Sequence, residues 1–200
     1  MQRYFLIIVM GFVALMAGAL FYAAQAPIKA LPESDAAKTP TLTVVSHPEF
    51  TLPDLQGKQR DFSEFAGRHR LLNFWATWCA PCRREIPLLK TFQDEQGADG
   101  ILVMGIAVDF TEDVINYAED AEFNYPILIG QEEAMAIAEM SGIEFIGMPF
   151  TMVVSRDGEY LGAYMGELHR SHLDGIAGIL AWLDAGKISS DEARDALEIL

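Results

Sequence analysis

Apolar and polar positions alternate along this chain in several distinct rhythms, and each rhythm predicts a different element. Tyr4 to Ala24 carries no charged side chain at all. As a helix it would span roughly 31 Å at ~1.5 Å per residue, about the thickness of a bilayer core. Arg70 to Ala76 and Ile101 to Val108 are short and almost continuously apolar, as central parallel strands buried on both faces are. Tyr125 to Ile129 is a shorter run of the same kind. Phe150 to Ser155 and Glu159 to Tyr164 flank Arg156-Asp157-Gly158, so they predict a hairpin turning on Asp-Gly. Phe50 to Lys58 reads as a strand, a turn and a second strand, and Asp61 to Phe65 as a short helical turn that Gly67 ends.

Helical periodicity fills the intervals. Arg83 to Gln96 follows the first core strand, and strand–helix–strand at this length predicts a βαβ unit. Thr111 is placed to cap a helix with Val114, Ile115 and Ala118 on one side and Glu112, Asp113, Glu119 and Asp120 on the other. That acidic stripe reads as a solvated face. Gln131 to Met140 is a further helix, ended by Gly142. His172 to Asp184 is an amphipathic closing helix, and Ser190 to Ile199 a short one capped near Ser190 or Asp191. The expected organisation is an anchor or signal sequence at 1–26, a linker at 27–40, one α/β domain at 41–184 and a helical extension at 185–200.

Arg3 ahead of the apolar segment favours an N-terminus retained in the cytoplasm, which puts the domain outside it. Ala24-Gln25-Ala26 also fits a signal-peptidase site, but the apolar run exceeds the usual signal core, so an uncleaved single-pass anchor is expected. Pro27 to Pro40, rich in Ala, Pro and Ser, would hold the domain off the membrane. A formal net charge of −15 argues against a nucleic-acid partner and against adhesion of the domain to anionic lipid.

The chain has two cysteines, Cys79 and Cys82, two residues apart in Thr77-Trp78-Cys79-Ala80-Pro81-Cys82. As a structural disulfide this spacing closes too small a loop to restrict the unfolded chain much. As half of a zinc site it lacks a second pair of ligands. A CxxC between a buried strand and a helix is the arrangement of a thioredoxin active site, and it points to thiol–disulfide exchange. Cys79, at the helix N-terminus, would be the attacking thiolate, and Cys82, one turn further, the resolving thiol. Pro81 falls early in the helix, where its missing N–H costs nothing. Glu85 lies three residues after Cys82 on the same helical face and could take the Cys82 proton. The bland alternative for Glu85 is a surface carboxylate. His169 and His172 have a chelating spacing but no third ligand, so no metal or cofactor is expected. His47 and His69 read as surface residues, and Arg83 and Arg84 either as a field favouring the thiolate or as solvated helix residues.

Asn73 to Pro87, together with Phe50-Thr51-Leu52-Pro53-Asp54-Leu55-Gln56-Gly57 and Gly147-Met148-Pro149-Phe150-Thr151, resembles the TlpA-like branch of the thioredoxin fold, which includes the membrane-anchored ResA and CcmG/DsbE proteins. The resemblance covers Thr41 to Asp184. It implies a thioredoxin-like fold, a central mixed sheet flanked by helices, behind an N-terminal transmembrane helix. It implies that Pro149 is a cis-proline opposite the CxxC, with the Met148 backbone free to pair with an incoming peptide. It favours Trp78 as an apolar docking surface and Trp75 as core, and it gives Glu85 a part in tuning the cysteines. Thioredoxin keeps a buried aspartate six residues before its first cysteine. Asn73 stands there and cannot titrate, which moves the expected proton handling onto Glu85.

The activity implied is an extracytoplasmic thiol–disulfide oxidoreductase, mainly a reductase. Its client would be apocytochrome c or a copper-site assembly protein, and its electrons would come from a membrane thiol donor of the DsbD/CcdA type. The competing readings are a general disulfide oxidase or isomerase, a thiol peroxidase of the same superfamily, and a redox-controlled binding module without turnover.

Overall fold

The computed structural model describes residues 50–139 and 147–200. The expected anchor, the linker, His47, Met140 and Gly142 lie outside the described residues. In chain order the elements are β1 (Thr51–Pro53), β2 (Gln59–Asp61), a 3-10 turn (Phe62–Phe65), β3 (Arg70–Trp75), α1 (Ala80–Gln96), β4 (Leu102–Val108) and α2 (Thr111–Ala121). Then come β5 (Ile127–Gly130), α3 (Glu132–Glu139), β6 (Phe150–Val154), β7 (Tyr160–Met165), α4 (Arg170–Asp184) and α5 (Ser190–Leu197).

Five strands form the main sheet in the order β5-β4-β3-β6-β7. β3, β4 and β5 are parallel, while β6 and β7 run antiparallel to their neighbours. This is the mixed sheet expected of a thioredoxin-like fold. β1 and β2 make a separate antiparallel pair, bridged to the main sheet between Asp54 and Leu128.

Side chains alternate across each strand, so β3 feeds two cores. Leu71 and Trp75 face α1, α2, α4 and α5, packing with Cys82, Ile86, Leu89, Val114, Ile176 and Leu180. Leu72 and Phe74 face the other way, onto Leu52, Phe62, Ala134 and Ile137. The same alternation sends Arg70 to the second face, where its buried guanidinium lies 4.6 Å from the Phe62 ring centroid and donates to the Ser155 carbonyl at 2.7 Å. Asn73 shares the α1 side with Leu71 and Trp75. Its cross-strand partner on β6 is Thr151.

The predicted elements shift at their ends. α1 begins at Ala80, three residues before the expected Arg83. α2 has Phe110, not Thr111, at its N-cap, and no side chain caps it. α5 is capped by Ser189, which accepts from the Glu192 N–H in a capping box. His69 is buried and bonded to Asp184 at 2.9 Å, so it is not a surface residue. The reason is tertiary: His69 precedes the central strand, where the end of α4 closes over it. The Asp157-Gly158 hairpin forms as expected, with Gly158 at φ +86°, a conformation that favours glycine. α5 contributes Ala193 and Leu197 to the α1-side core. Among the described residues no helix is long and apolar enough to cross a membrane.

Candidate active site

β3 ends at Trp75, and the chain turns through Ala76 to Trp78 before α1 starts. Cys79 occupies the N-cap of α1 and is joined to Cys82 in a disulfide, with the two Cα atoms 5.3 Å apart. The Cys79 sulfur accepts the Cys82 N–H at 3.3 Å. A free helix N–H aimed at a sulfur stabilises negative charge there once the bond is reduced, as does the positive end of the helix. Cys79 is 5% exposed and Cys82 is 0% exposed. The N-terminal cysteine is therefore the one a partner can touch. Pro81, in the first helical turn, gives up an N–H that has no intrahelical acceptor. Trp78, the neighbour of Cys79, is 68% exposed.

The loop bearing Trp78 and Cys79 is fastened to the end of β4. Asp109, buried at 6% exposure, accepts from the Thr77 N–H at 2.8 Å and the Thr77 hydroxyl at 2.6 Å through one carboxylate oxygen. Its other oxygen accepts from the Phe110 N–H at 2.8 Å. Asp109 was not singled out from the sequence. A usable signal existed, because a carboxylate directly after a buried parallel strand stands at the end of an α/β sheet where sites form.

Glu85 is buried at 1% exposure, on the face of α1 that also buries Cys82, Ile86 and Leu89. Its Oε1 accepts from Asn73 Nδ2 at 2.7 Å and its Oε2 from the Leu168 N–H at 2.6 Å. Asn73 Nδ2 also donates to Thr151 Oγ1 at 3.0 Å. Burial pushes the Glu85 carboxyl up to about 7, against the lowering effect of the hydrogen bonds from Leu168 and Asn73. The carboxyl is thereby moved toward neutral pH, as suits a group that accepts and returns a proton.

The Met148–Pro149 bond is cis. Pro149 accepts from the Gly166 N–H at 2.9 Å, and Met148 is partly buried against the α1-side core. Gly166 to His169 joins β7 to α4 and lies across α1. Arg84 pairs with Glu167 there and holds that carboxyl below its usual range. A circuit thus runs from Glu85 through Asn73 and Thr151 to the strand after Pro149, and back through Gly166 and Leu168 to Glu85. His169 and His172 belong to the start of α4: His172 Nδ1 accepts the His169 N–H at 3.1 Å, and the His172 ring lies tilted by 38° against Tyr164, with centroids 4.4 Å apart.

A mixed sheet with a disulfide-forming CxxC at a helix N-terminus and a cis-proline in the neighbouring loop defines a thioredoxin-fold dithiol protein. The AhpC/TSA family matches residues 45–160, more than half of the chain, and the chain belongs to that family. It is 27% identical over 128 residues to the thiol-disulfide oxidoreductase ResA of Bacillus thuringiensis, covering 64% of this chain and 72% of that one. It is 30% identical over 133 residues to the thioredoxin-like protein YneN of Bacillus subtilis, covering 64% and 74%. Among solved structures, a thiol:disulfide interchange protein of the thioredoxin family from Chlorobium tepidum aligns with a TM-score of 0.59 at 27% identity, over 66% of this chain and 94% of that one. The chain is thus a ResA/CcmG-like thioredoxin-fold protein, and its class is that of the thiol–disulfide oxidoreductases.

Proposed function

We propose that this protein is a membrane-tethered, extracytoplasmic reductase of a specific client disulfide, of the kind that serves cytochrome c maturation or metal-site assembly. The carrying observation is the buried Glu85, which shares a helix face with the buried Cys82 and has a carboxyl poised at about 7. The Cys79 thiolate attacks one sulfur of the client disulfide. The client S–S bond breaks, a Cys79–client mixed disulfide forms and one client thiolate leaves. Glu85 accepts the Cys82 proton, and the Cys82 thiolate attacks Cys79. That step restores the Cys79–Cys82 disulfide and releases the second client thiol. Two electrons and two protons from a membrane dithiol donor of the DsbD/CcdA type reset the pair.

Trp78 and the Met148–Pro149 edge supply the client-binding side of this scheme, with Met148 pairing as a short strand addition. Export and tethering rest on the sequence of residues 1–26 and on the resemblance to anchored relatives. A compartment that oxidises thiols needs a supplied reductant, and an anchor keeps the domain beside one.

A Cys82→Ala variant should hold its client through Cys79 as a mixed disulfide, identifiable by mass spectrometry. Recovery of no covalent partner from cells would count against the proposal. The reduction potential separates reductase from oxidase, since a value near the DsbA end, about −120 mV, would reverse the assignment.

A further inference from the structure

The loop fastened to the Cys79 loop carries a second exposed aromatic that the reaction as described does not use. Phe110 is 64% exposed at the N-cap of α2 (Thr111–Ala121), and Trp78 is 68% exposed beside Cys79. Large apolar side chains at such exposure are informative when they sit together at a site where a partner must arrive. These two come from different loops. Asp109 binds both loops at once, through Thr77 on one side and the Phe110 N–H on the other. Trp78 is the next residue after Thr77, and Phe110 the next after Asp109, so one buried carboxylate fastens together the two loops that carry these aromatics.

Whatever exchanges with Cys79 has to bring its own sulfur within bonding distance of that sulfur. The polypeptide flanking that sulfur therefore passes beside Trp78 and the loop fastened to it, which names the occupant of these exposed aromatics. Charge narrows it further. Glu112 and Asp113, both exposed, follow Phe110 in the first turn of α2. On the α1 side, Arg84 is paired with Glu167, while Arg83 carries a positive charge.

We propose that Trp78 and Phe110 form one docking face for the client segment next to its disulfide, fastened by Asp109 as a positioning residue. The segment that fits has an apolar or aromatic side chain beside its cysteine and a lysine or arginine reaching the Glu112–Asp113 edge. This rests on the oxidoreductase reading above and adds a substrate preference to it.

The test uses the full-length protein in detergent. It compares reduction of glutathione disulfide with that of two synthetic peptide disulfides, one with Phe and Lys flanking the cysteine and one with Phe and Glu. The wild type should favour the Lys peptide over the Glu peptide by about tenfold in kcat/KM, mostly through KM, and rising salt should shrink that preference. Phe110→Ala should lower the ratio of Lys-peptide to glutathione kcat/KM by about tenfold, as loss of a central aromatic anchor does. The double change Glu112→Gln/Asp113→Asn should abolish the Lys-over-Glu preference.

Asp109→Asn should lower the same peptide-to-glutathione ratio. Adding Phe110→Ala to it should then cost much less than in the wild type, because the fastening and the aromatic act through one face. Thr77→Val removes one of the same hydrogen bonds and should reproduce a smaller part of the loss if the Asp109 variant folds poorly. An unchanged ratio in Phe110→Ala, or fully additive effects of Asp109→Asn and Phe110→Ala, overturns the docking face while leaving the oxidoreductase reading intact. Failure of the reduced wild type to reduce any of the three disulfides overturns both.

Discussion

Glu85 is the residue whose behaviour decides how the site works. Its carboxyl is buried with hydrogen-bond donors on both oxygens and no cation against it among the hydrogen bonds and ion pairs of the described residues. Desolvation therefore outweighs the donors and raises its folded-state value from 4.5 to about 7. The native state then holds a proton that the unfolded chain has already lost. Its contribution to stability is fully present below about pH 4.5, declines as pH rises, and is gone above about pH 7. The wild type should lose about 3 kcal/mol relative to Glu85→Gln across that interval, read by denaturant titration of both proteins from pH 4 to 8. A constant difference between the two curves would contradict the assignment.

Asn73 acts on the same group. Its hydrogen bond lowers the Glu85 value, so Asn73→Ala should push that carboxyl above 7. The loss also leaves a buried oxygen of Glu85 and the Thr151 hydroxyl without this donor. A stability cost of about 2–3 kcal/mol is expected, measured alongside the carboxyl titration by NMR or infrared difference spectroscopy. The CxxC and the i+3 spacing of Glu85 were legible from residue types alone. The partners that trap Glu85 were not, because Leu168 lies 83 positions away in sequence.

The elements were the easiest part to predict, and their ends the hardest. Among the described residues, each apolar run predicted as a strand became one, because period and β-branched content act locally. Helix starts are set by which backbone donor finds an acceptor, and at α1 and α2 that choice is made by neighbours. Asp109 accepts the Phe110 N–H and draws the start of α2 (Thr111–Ala121) back to Phe110, so Thr111 never serves as a cap.

Close approach within the sheet is equally invisible in one dimension. Gly105 on β4 (Leu102–Val108) sits where an added Cβ would lie 2.6 Å from Ile127 Cδ1 and 3.0 Å from Trp75 Nε1. Gly105→Ala should cost about 1–3 kcal/mol by overpacking between β3, β4 and β5. Thermal denaturation checks it, and an unchanged midpoint would mean that Ile127 yields at no cost.

At the scale of the whole molecule, the C-terminal segment belongs to the core. Read along the sequence, 185–200 is an extension beyond the domain. In the fold, α5 (Ser190–Leu197) packs on β7 (Tyr160–Met165) and α4 (Arg170–Asp184), with Ala193 and Leu197 buried in the α1-side cluster. Gly162 lets α5 come close: a Cβ there would lie 3.3 Å from Leu197 Cβ. Leu197→Ala should therefore destabilise the protein by about 2–4 kcal/mol, as a buried leucine does and a solvated one would not. Equilibrium unfolding that shows less than ~0.5 kcal/mol would return this helix to the surface.

The sequence by itself determined the class of chemistry, because a CxxC between a buried strand and a helix is a local pattern and thiol reactivity follows from local helix geometry. It also determined the two-faced sheet, since side-chain alternation is a property of the strand alone. Tertiary structure decided which groups meet the dithiol. Asn73 and Leu168 reach Glu85, Thr151 reaches Asn73, and Asp109 reaches Thr77, across separations of 12 to 83 residues. Hydrogen-bond partners for a buried carboxylate are chosen by how strands and helices stack, and no single stretch of chain carries that information.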